Sequence, residues 1–148
     1  MKIYIGADHL GFALKSELVN YLRSSGYDVA DEGDDHLDPN DDYPQFAGRV
    51  CSKVLSSGDE QSRGVLLCGS GQGILMAANR FKGIRAALGY DEKSARLARN
   101  DDDSNVLCLP ADLLSKEEAF KVAETWLKTP FAAASRYVRR IKEIDELG

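Results

Sequence analysis

Five short apolar runs alternate along this chain with segments of helical periodicity, and few folds accommodate that alternation. The runs are residues 2–7 (KIYIGA), 27–31, 64–68 (GVLLC), 84–88 (IRAAL) and 106–109 (VLCL). Most are continuously apolar, as expected of parallel strands covered on both faces. Between them, Leu14, Leu18, Tyr21 and Leu22 recur at helical spacing, and Gly26 ends that helix. A second helix follows Tyr43-Pro44 and runs to 56–58. A third, 73–81, is nearly all apolar and is expected to be buried. A fourth, 91–99, has Asp91 as its N-cap, and a fifth opens on the capping-box pattern Ser115-x-x-Glu118. The fifth carries Ala119, Val122, Ala123, Trp126 and Leu127 on one face, and Pro130 breaks it. A last amphipathic helix shows Tyr137, Ile141, Ile144 and Leu147. Alternating β and α elements imply a doubly wound parallel sheet in a three-layer α/β/α arrangement. With no repeat and no linker, residues 1–148 read as one domain. In such a sheet, ligands sit outside the carboxyl ends of the strands.

Composition narrows the function classes. The net charge is −5 and the pI near 5.0, against the basic footprint of a nucleic-acid or anionic-membrane binder. Residues 31–42 hold seven of the 24 acids and none of the 19 basic residues, so the rest of the chain is close to neutral. That stretch reads as a solvated loop. No apolar run reaches the roughly 20 residues of a membrane span. The opening MKIYIGADH meets Asp8 too early for a signal peptide. Cys51, Cys68 and Cys108 form an odd set without C-x-x-C spacing, which suits free thiols in a reducing cytoplasm.

The residues leaving the strands carry the chemistry. The first strand ends in Asp8-His9-Leu10-Gly11, where Asp8 serves equally as a helix N-cap or a ligand group. The third ends in Cys68-Gly69-Ser70-Gly71-Gln72-Gly73. Its glycines bring backbone N–H groups close to a ligand, beside a helix N-terminus. The spacing is neither G-x-G-x-x-G nor a Walker loop. Ile74 stands where a Cys-x5-Arg phosphatase loop requires arginine. Cys68 faces those N–H groups, a setting that favours a thiolate. Cys51 and Cys108 lack it and read as structural. Asp101-Asp102-Asp103 form a second acidic knot, either a solvated loop or a weak metal candidate. Arg136 and Arg140, at i and i+4, fork around one phosphate or pair with neighbouring acids such as Glu143.

Taken together, several segments resemble one family. They are Asp8-His9-x-Gly11, Asp42-Tyr43-Pro44, the cysteine–glycine loop, Ala77-Ala78-Asn79-Arg80 with Gly83-Ile84-Arg85-Ala86, and Arg136-x-x-x-Arg140. The family is ribose-5-phosphate isomerase type B, with its relative galactose-6-phosphate isomerase. The resemblance runs from residue 1 to about 145. It implies a Rossmann-like homodimer, with pairing into tetramers left open, whose C-terminal helix packs on the partner subunit. It implies aldose–ketose isomerisation of ribose 5-phosphate to ribulose 5-phosphate in the non-oxidative pentose phosphate pathway, with no metal or other cofactor. It makes Cys68 the base, and the amides of Gly69, Gly71, Gly73 and their neighbours the enediolate's anion hole, at about 3–4 kcal/mol per donor. Ser70 and Asp8 would hold the sugar. His9 would hold the phosphate, together with Arg136 and Arg140 from the partner, and Tyr43 would line the pocket.

The sequence departs from the family at four positions. Asp101-Asp102 stand where His-Asn is usual, the His being the acid that opens the furanose ring. Asp112 stands where an arginine usually joins the phosphate clamp, and Tyr137 where a histidine is usual. An ionised carboxylate at 101 donates no proton unless burial raises its pKa, so ring opening falls to Ser70, to water or to a protonated Asp101. Asp102 would border the enediolate. These changes keep two alternatives open: a non-catalytic sugar-phosphate-binding subunit, and an isomerase of another phosphosugar.

Overall fold

The structure is a computed structural model that describes residues 1–148. In chain order it holds β1 (Lys2–Ala7), α1 (Phe12–Ser24), β2 (Asp28–Asp31), α2 (Tyr43–Ser56), β3 (Arg63–Cys68) and α3 (Gln72–Ala78). Then come β4 (Ala86–Leu88), α4 (Glu92–Asn100), β5 (Val106–Pro110), α5 (Lys116–Lys128) and α6 (Ser135–Asp145). The strands form one parallel sheet in the order β2-β1-β3-β5-β4.

Side chains alternate across the strands and build two cores. On one face, Ile3, Ile5, Val65, Leu67, Leu107 and Leu109 meet α1, α4 and α5 through Leu18, Leu22, Ala95, Val122 and Trp126. On the other, Leu66, Cys68, Val106 and Cys108 meet α2 and α3 through Phe46, Val50, Cys51 and Ile74. This two-sided burial explains why the strands read as unbroken apolar runs. It also fixes the position of the crevice. After β1 the chain crosses to α1 on one face, and after β3 it crosses to α3 on the other. The loops leaving these adjacent strands therefore diverge at their carboxyl ends, which is the switch point of a doubly wound sheet.

Local detail refines several expectations. Asp91 accepts from Ser94 N at 2.7 Å, and Ser94 Oγ answers the Asp91 backbone in a reciprocal cap. Ser115 caps α5 through Glu118 N alone, so the full box is not formed. The fourth strand begins at Ala86 rather than residue 84, because Arg85 N is drawn to Asn105 Oδ1. Asn79 brackets Ala86, its Nδ2 donating to Ala86 O (3.0 Å) and its Oδ1 accepting from Ala86 N (2.8 Å). The apolar third helix is shorter than expected and only half-buried. Ile74 and Ala78 are covered, while Met76 is 67% exposed. Two lone faces of a seven-residue helix cannot both reach one core. In α6, no residue is buried.

The 31–42 segment is not merely a solvated loop. Asp31 receives the buried Lys15 ammonium through both carboxylate oxygens, Asp34 pairs with Arg49, and Asp41 with His9. No helix is long and apolar enough to cross a membrane.

Candidate active site

Loop 8–11 leaves β1 by passing across the end of β3. A Cβ on Gly11 would lie 2.7 Å from Leu67 Cβ and 2.9 Å from Leu67 O, so only glycine permits that crossing. Asp8, 5% exposed, accepts from Leu10 N and Gly11 N through Oδ1 (3.0 and 3.3 Å). It is thus a turn-forming residue, with its second oxygen outside these bonds. Burial raises its pKa above the ordinary carboxylate value, and the Gly11 N–H bond works against that.

His9 stands beside it. Asp41 Oδ1 accepts from both His9 N (2.8 Å) and His9 Nδ1 (2.9 Å). The Asp41 hydrogen bond raises the imidazole's pKa, partial burial opposes this, and Asp8 and Asp41 add attraction. Asp8, His9 and Asp41 bring ligand-type atoms within 4.8 Å of one another. Asp8 Oδ1 is engaged by its own turn, and Asp41 Oδ1 and His9 Nδ1 by each other.

From β3, Cys68 projects into the α2–α3 core and is 5% exposed. The loop after it is unusual in its donors. The N–H groups of Gly69, Ser70, Gly71, Gly73 and Ile74 donate to no protein acceptor, whereas Gln72 N is held by Ser70 Oγ at 3.3 Å. Gly71 is left-handed (φ +76°), which turns this row of N–H groups into a concavity. The flanks are close. A Cβ on Gly69 would meet Asp112 Oδ2 and Leu10 Cδ1 at 2.8 Å each, and one on Gly73 would meet the Tyr43 ring at 2.6 Å. The carboxyl edge therefore brings together Asp8, His9, Tyr43, Cys68, Ser70 and the glycines, with Asp112 alongside. Cys51 and Cys108 lie in the core behind. Burial pushes the Cys51 thiol up to about 12, and Cys108 well above its ordinary value.

Asp101, Asp102, Arg136 and Arg140 lie elsewhere. They gather at the amino ends of β4 and β5, separated from the Cys68 edge by the length of β5, about 13 Å of strand. Asp101 ends α4 and accepts from Asn100 Nδ2 (2.7 Å). Asp102 has a raised pKa, first from desolvation and then from Asp101, with Arg140 and Arg85 opposing. The third acid of the knot is structural: Asp103 is held by Arg99 at 2.8 Å and by Arg85 at 3.4 Å. Arg136 stacks on Tyr137 with its guanidinium 4.4 Å from the ring centre, and it forms no pair with Glu143. A cavity of about 640 Å³ opens at this edge, lined by Asn79, Lys82, Arg85, Asp102 and Ile144 among others.

Asp41 is the site residue that sequence reading missed. One carboxylate among seven in an acidic stretch carries no distinguishing spacing, and its partner lies 32 residues away. The unpaired interest of a lone histidine was the only available signal.

Comparison with known proteins finds relatives over nearly the whole chain. Residues 3–144 match the family model for Ribose/Galactose Isomerase. The probable ribose-5-phosphate isomerase B of Mycoplasma genitalium is 42% identical over 142 residues, covering 96% of this chain and 92% of the relative. The Escherichia coli K12 ribose-5-phosphate isomerase B is 38% identical over 143 residues, covering 97% and 93%. Among solved structures, the Mycoplasma genitalium enzyme with bound ribulose-5-phosphate superposes with a TM-score of 0.92 at 42% identity, covering 97% of this chain and 93% of that one. The Thermotoga maritima ribose 5-phosphate isomerase gives 0.93 at 44% identity, covering 99% and 98%. The chain belongs to the ribose/galactose isomerase family.

Proposed function

We propose that this chain interconverts ribose 5-phosphate and ribulose 5-phosphate, a step of the non-oxidative pentose phosphate pathway, without metal. The observation that carries the reading is Cys68 at the end of β3 beside five N–H groups that no protein acceptor uses. In open-chain ribose 5-phosphate, the Cys68 thiolate takes the C2 proton. The C2–H electron pair forms the C1–C2 double bond, and the carbonyl pair moves to O1. The loop amides meet the resulting charge. The thiol then returns a proton to C1, while the O2 proton passes to O1, giving the ketose. Ser70 and Asp8 hold sugar hydroxyls, Tyr43 walls the pocket and His9 meets the phosphate.

The two separated groups of residues support a composite site in a homodimer. Asp101, Asp102, Arg136 and Arg140 of one subunit would face Cys68 of the other, covering the α6 face that buries nothing in one chain. Residues 1–148 then act as one isomerase domain, and three free thiols suit the cytoplasm.

The test is incubation with ribose 5-phosphate in deuterium oxide. Ribulose 5-phosphate forms with solvent deuterium at C1, re-formed ribose 5-phosphate carries it at C2, and Cys68→Ala lowers this exchange at least about 100-fold. Retained exchange in Cys68→Ala defeats the assignment. Binding without turnover in the parent protein favours a non-catalytic subunit, the reading that the carboxylates at 101, 102 and 112 support. Neither binding nor turnover points to another phosphosugar.

A further inference from the structure

We propose that Asp41 is a positioning residue: its carboxylate clamps both the backbone and the ring of His9, leaving Nε2 as the one imidazole nitrogen that meets the substrate's phosphate. The inference rests on the phosphosugar reading above and assigns the control of its anion contact.

The geometry is specific. A single oxygen, Asp41 Oδ1, takes His9 N at 2.8 Å and His9 Nδ1 at 2.9 Å. The carboxylate is more sheltered than the ring it holds, with side chains 7% and 31% exposed. Its own loop is prearranged. Asp38 Oδ1 accepts from Asn40 N at 3.0 Å, and Asp38 O accepts from Asp41 N at 3.2 Å. A carboxylate only accepts, so the Nδ1 atom must carry its hydrogen. The ring then has two states. Neutral, Nε2 presents a lone pair that repels a phosphate oxygen. Protonated, it presents an N–H that donates to one. The charged groups facing His9 are Asp41 across the crevice and Asp8 on its own loop, and both favour the protonated state. Folding thus raises the His9 pKa, so the charge persists to higher pH than in a free histidine.

The chain supplies its own control. It holds only two histidines, and His36 also pairs with a carboxylate, Asp35 Oδ1 at 2.7 Å. That second pair is open to solvent, with side chains 75% and 98% exposed, and lies in no crevice.

The experiment follows both imidazoles by NMR through a pH titration, in the parent, Asp41→Asn and Asp35→Asn. The affinity for inorganic phosphate and the KM for ribose 5-phosphate are measured across pH 5.5 to 8.5. Asp41→Asn is expected to lower the His9 midpoint and leave His36 in place, and Asp35→Asn to do the reverse. The ratio of variant to parent phosphate Kd should start near 1 at low pH, where both rings are charged. It should climb with pH to a plateau of about tenfold per unit of midpoint lost. Taking a ratio cancels the phosphate's own titration near pH 6. The KM ratio follows the same curve, while kcat changes less than about twofold. An unmoved His9 midpoint, or a ratio flat across pH, overturns the proposal. If the parent does not turn over ribose 5-phosphate, the functional reading fails, yet the His9 midpoint and the inorganic phosphate affinity still decide the role of Asp41. Should Asp41→Asn not fold, Asp41→Ser, a neutral acceptor of smaller size, carries the same expectations.

Discussion

Replacing Gly73 with alanine separates the demands of the site from those of the fold. A Cβ there would lie 2.6 Å from Tyr43 Cζ, 2.8 Å from Cε1 and 2.9 Å from the hydroxyl oxygen. Ordinary carbon contacts are about 3.5–4.0 Å, so the ring must retreat by about 1 Å. It can do so, because Tyr43 is 38% exposed. The cost to folding is therefore small. Alanine in place of glycine within a helix contributes up to about 0.5–1 kcal/mol in compensation. The cost to catalysis is not small, since a misplacement of about 1 Å at a site wall costs up to about 100-fold. We expect Gly73→Ala to shift Tm by no more than about 4 °C and to lower kcat/KM about 10- to 100-fold, which is about 1.4–2.7 kcal/mol. Circular-dichroism melting and steady-state isomerisation measure the two quantities. The decisive comparison is a cycle with Tyr43→Ala. Without the ring, the added methyl has nothing to displace, so Gly73→Ala should then cost little further activity. An undiminished loss in the Tyr43→Ala background, or a Tm drop beyond about 10 °C, would refute the reasoning.

Two further outcomes follow from the structure. Mixing Cys68→Ala subunits with Arg136→Ala/Arg140→Ala subunits should restore about a quarter of parental activity, because half the dimers are mixed and each mixed dimer holds one intact composite site; no restoration above the separate variants would rule out a shared site. Alkaline stability should report the buried thiols. Folding raises the Cys51 pKa from 9.0 to about 12, so above pH 9 the unfolded state releases a proton that the folded state keeps. Stability is then lost as pH rises through the window from about 9 to 12, by about 1.4 kcal/mol per pH unit for this thiol. Cys51→Ala should flatten that slope in denaturant melts at pH 8.5 and 10, and an unchanged slope would contradict the assignment.

Much of the architecture could be read from residues, and for a definite reason. Strands buried on both faces must be apolar throughout, so 2–7, 64–68 and 106–109 stood out, and each falls within a residue of its observed strand. The Cys68 loop was legible because several glycines in one turn have few structural excuses. What escaped were relations between distant segments. The apolar 73–81 run looked like core, but apolarity does not say what covers a face, and Met76 is left outside in a single chain. The acidic 31–42 stretch looked like solvated charge, yet Asp31, Asp34 and Asp41 each hold a cation or a histidine brought from another element. Asp101 and Asp102 were grouped with Cys68 by resemblance, and only the strand direction shows that the two groups sit at opposite ends of the same sheet.

The bracket that Asn79 makes around Ala86 has a bearing on how copies of this protein meet. β4 is the outermost strand on its side, and Ala86 would otherwise offer a free N–H and C=O to any extended chain passing by. A side-chain amide occupies both, standing in for a sixth strand that is never added. Growth of the sheet from molecule to molecule is blocked at Ala86 on that edge. Contact with another molecule at this point is left to side-chain shape, instead of backbone pairing that has no natural stopping point.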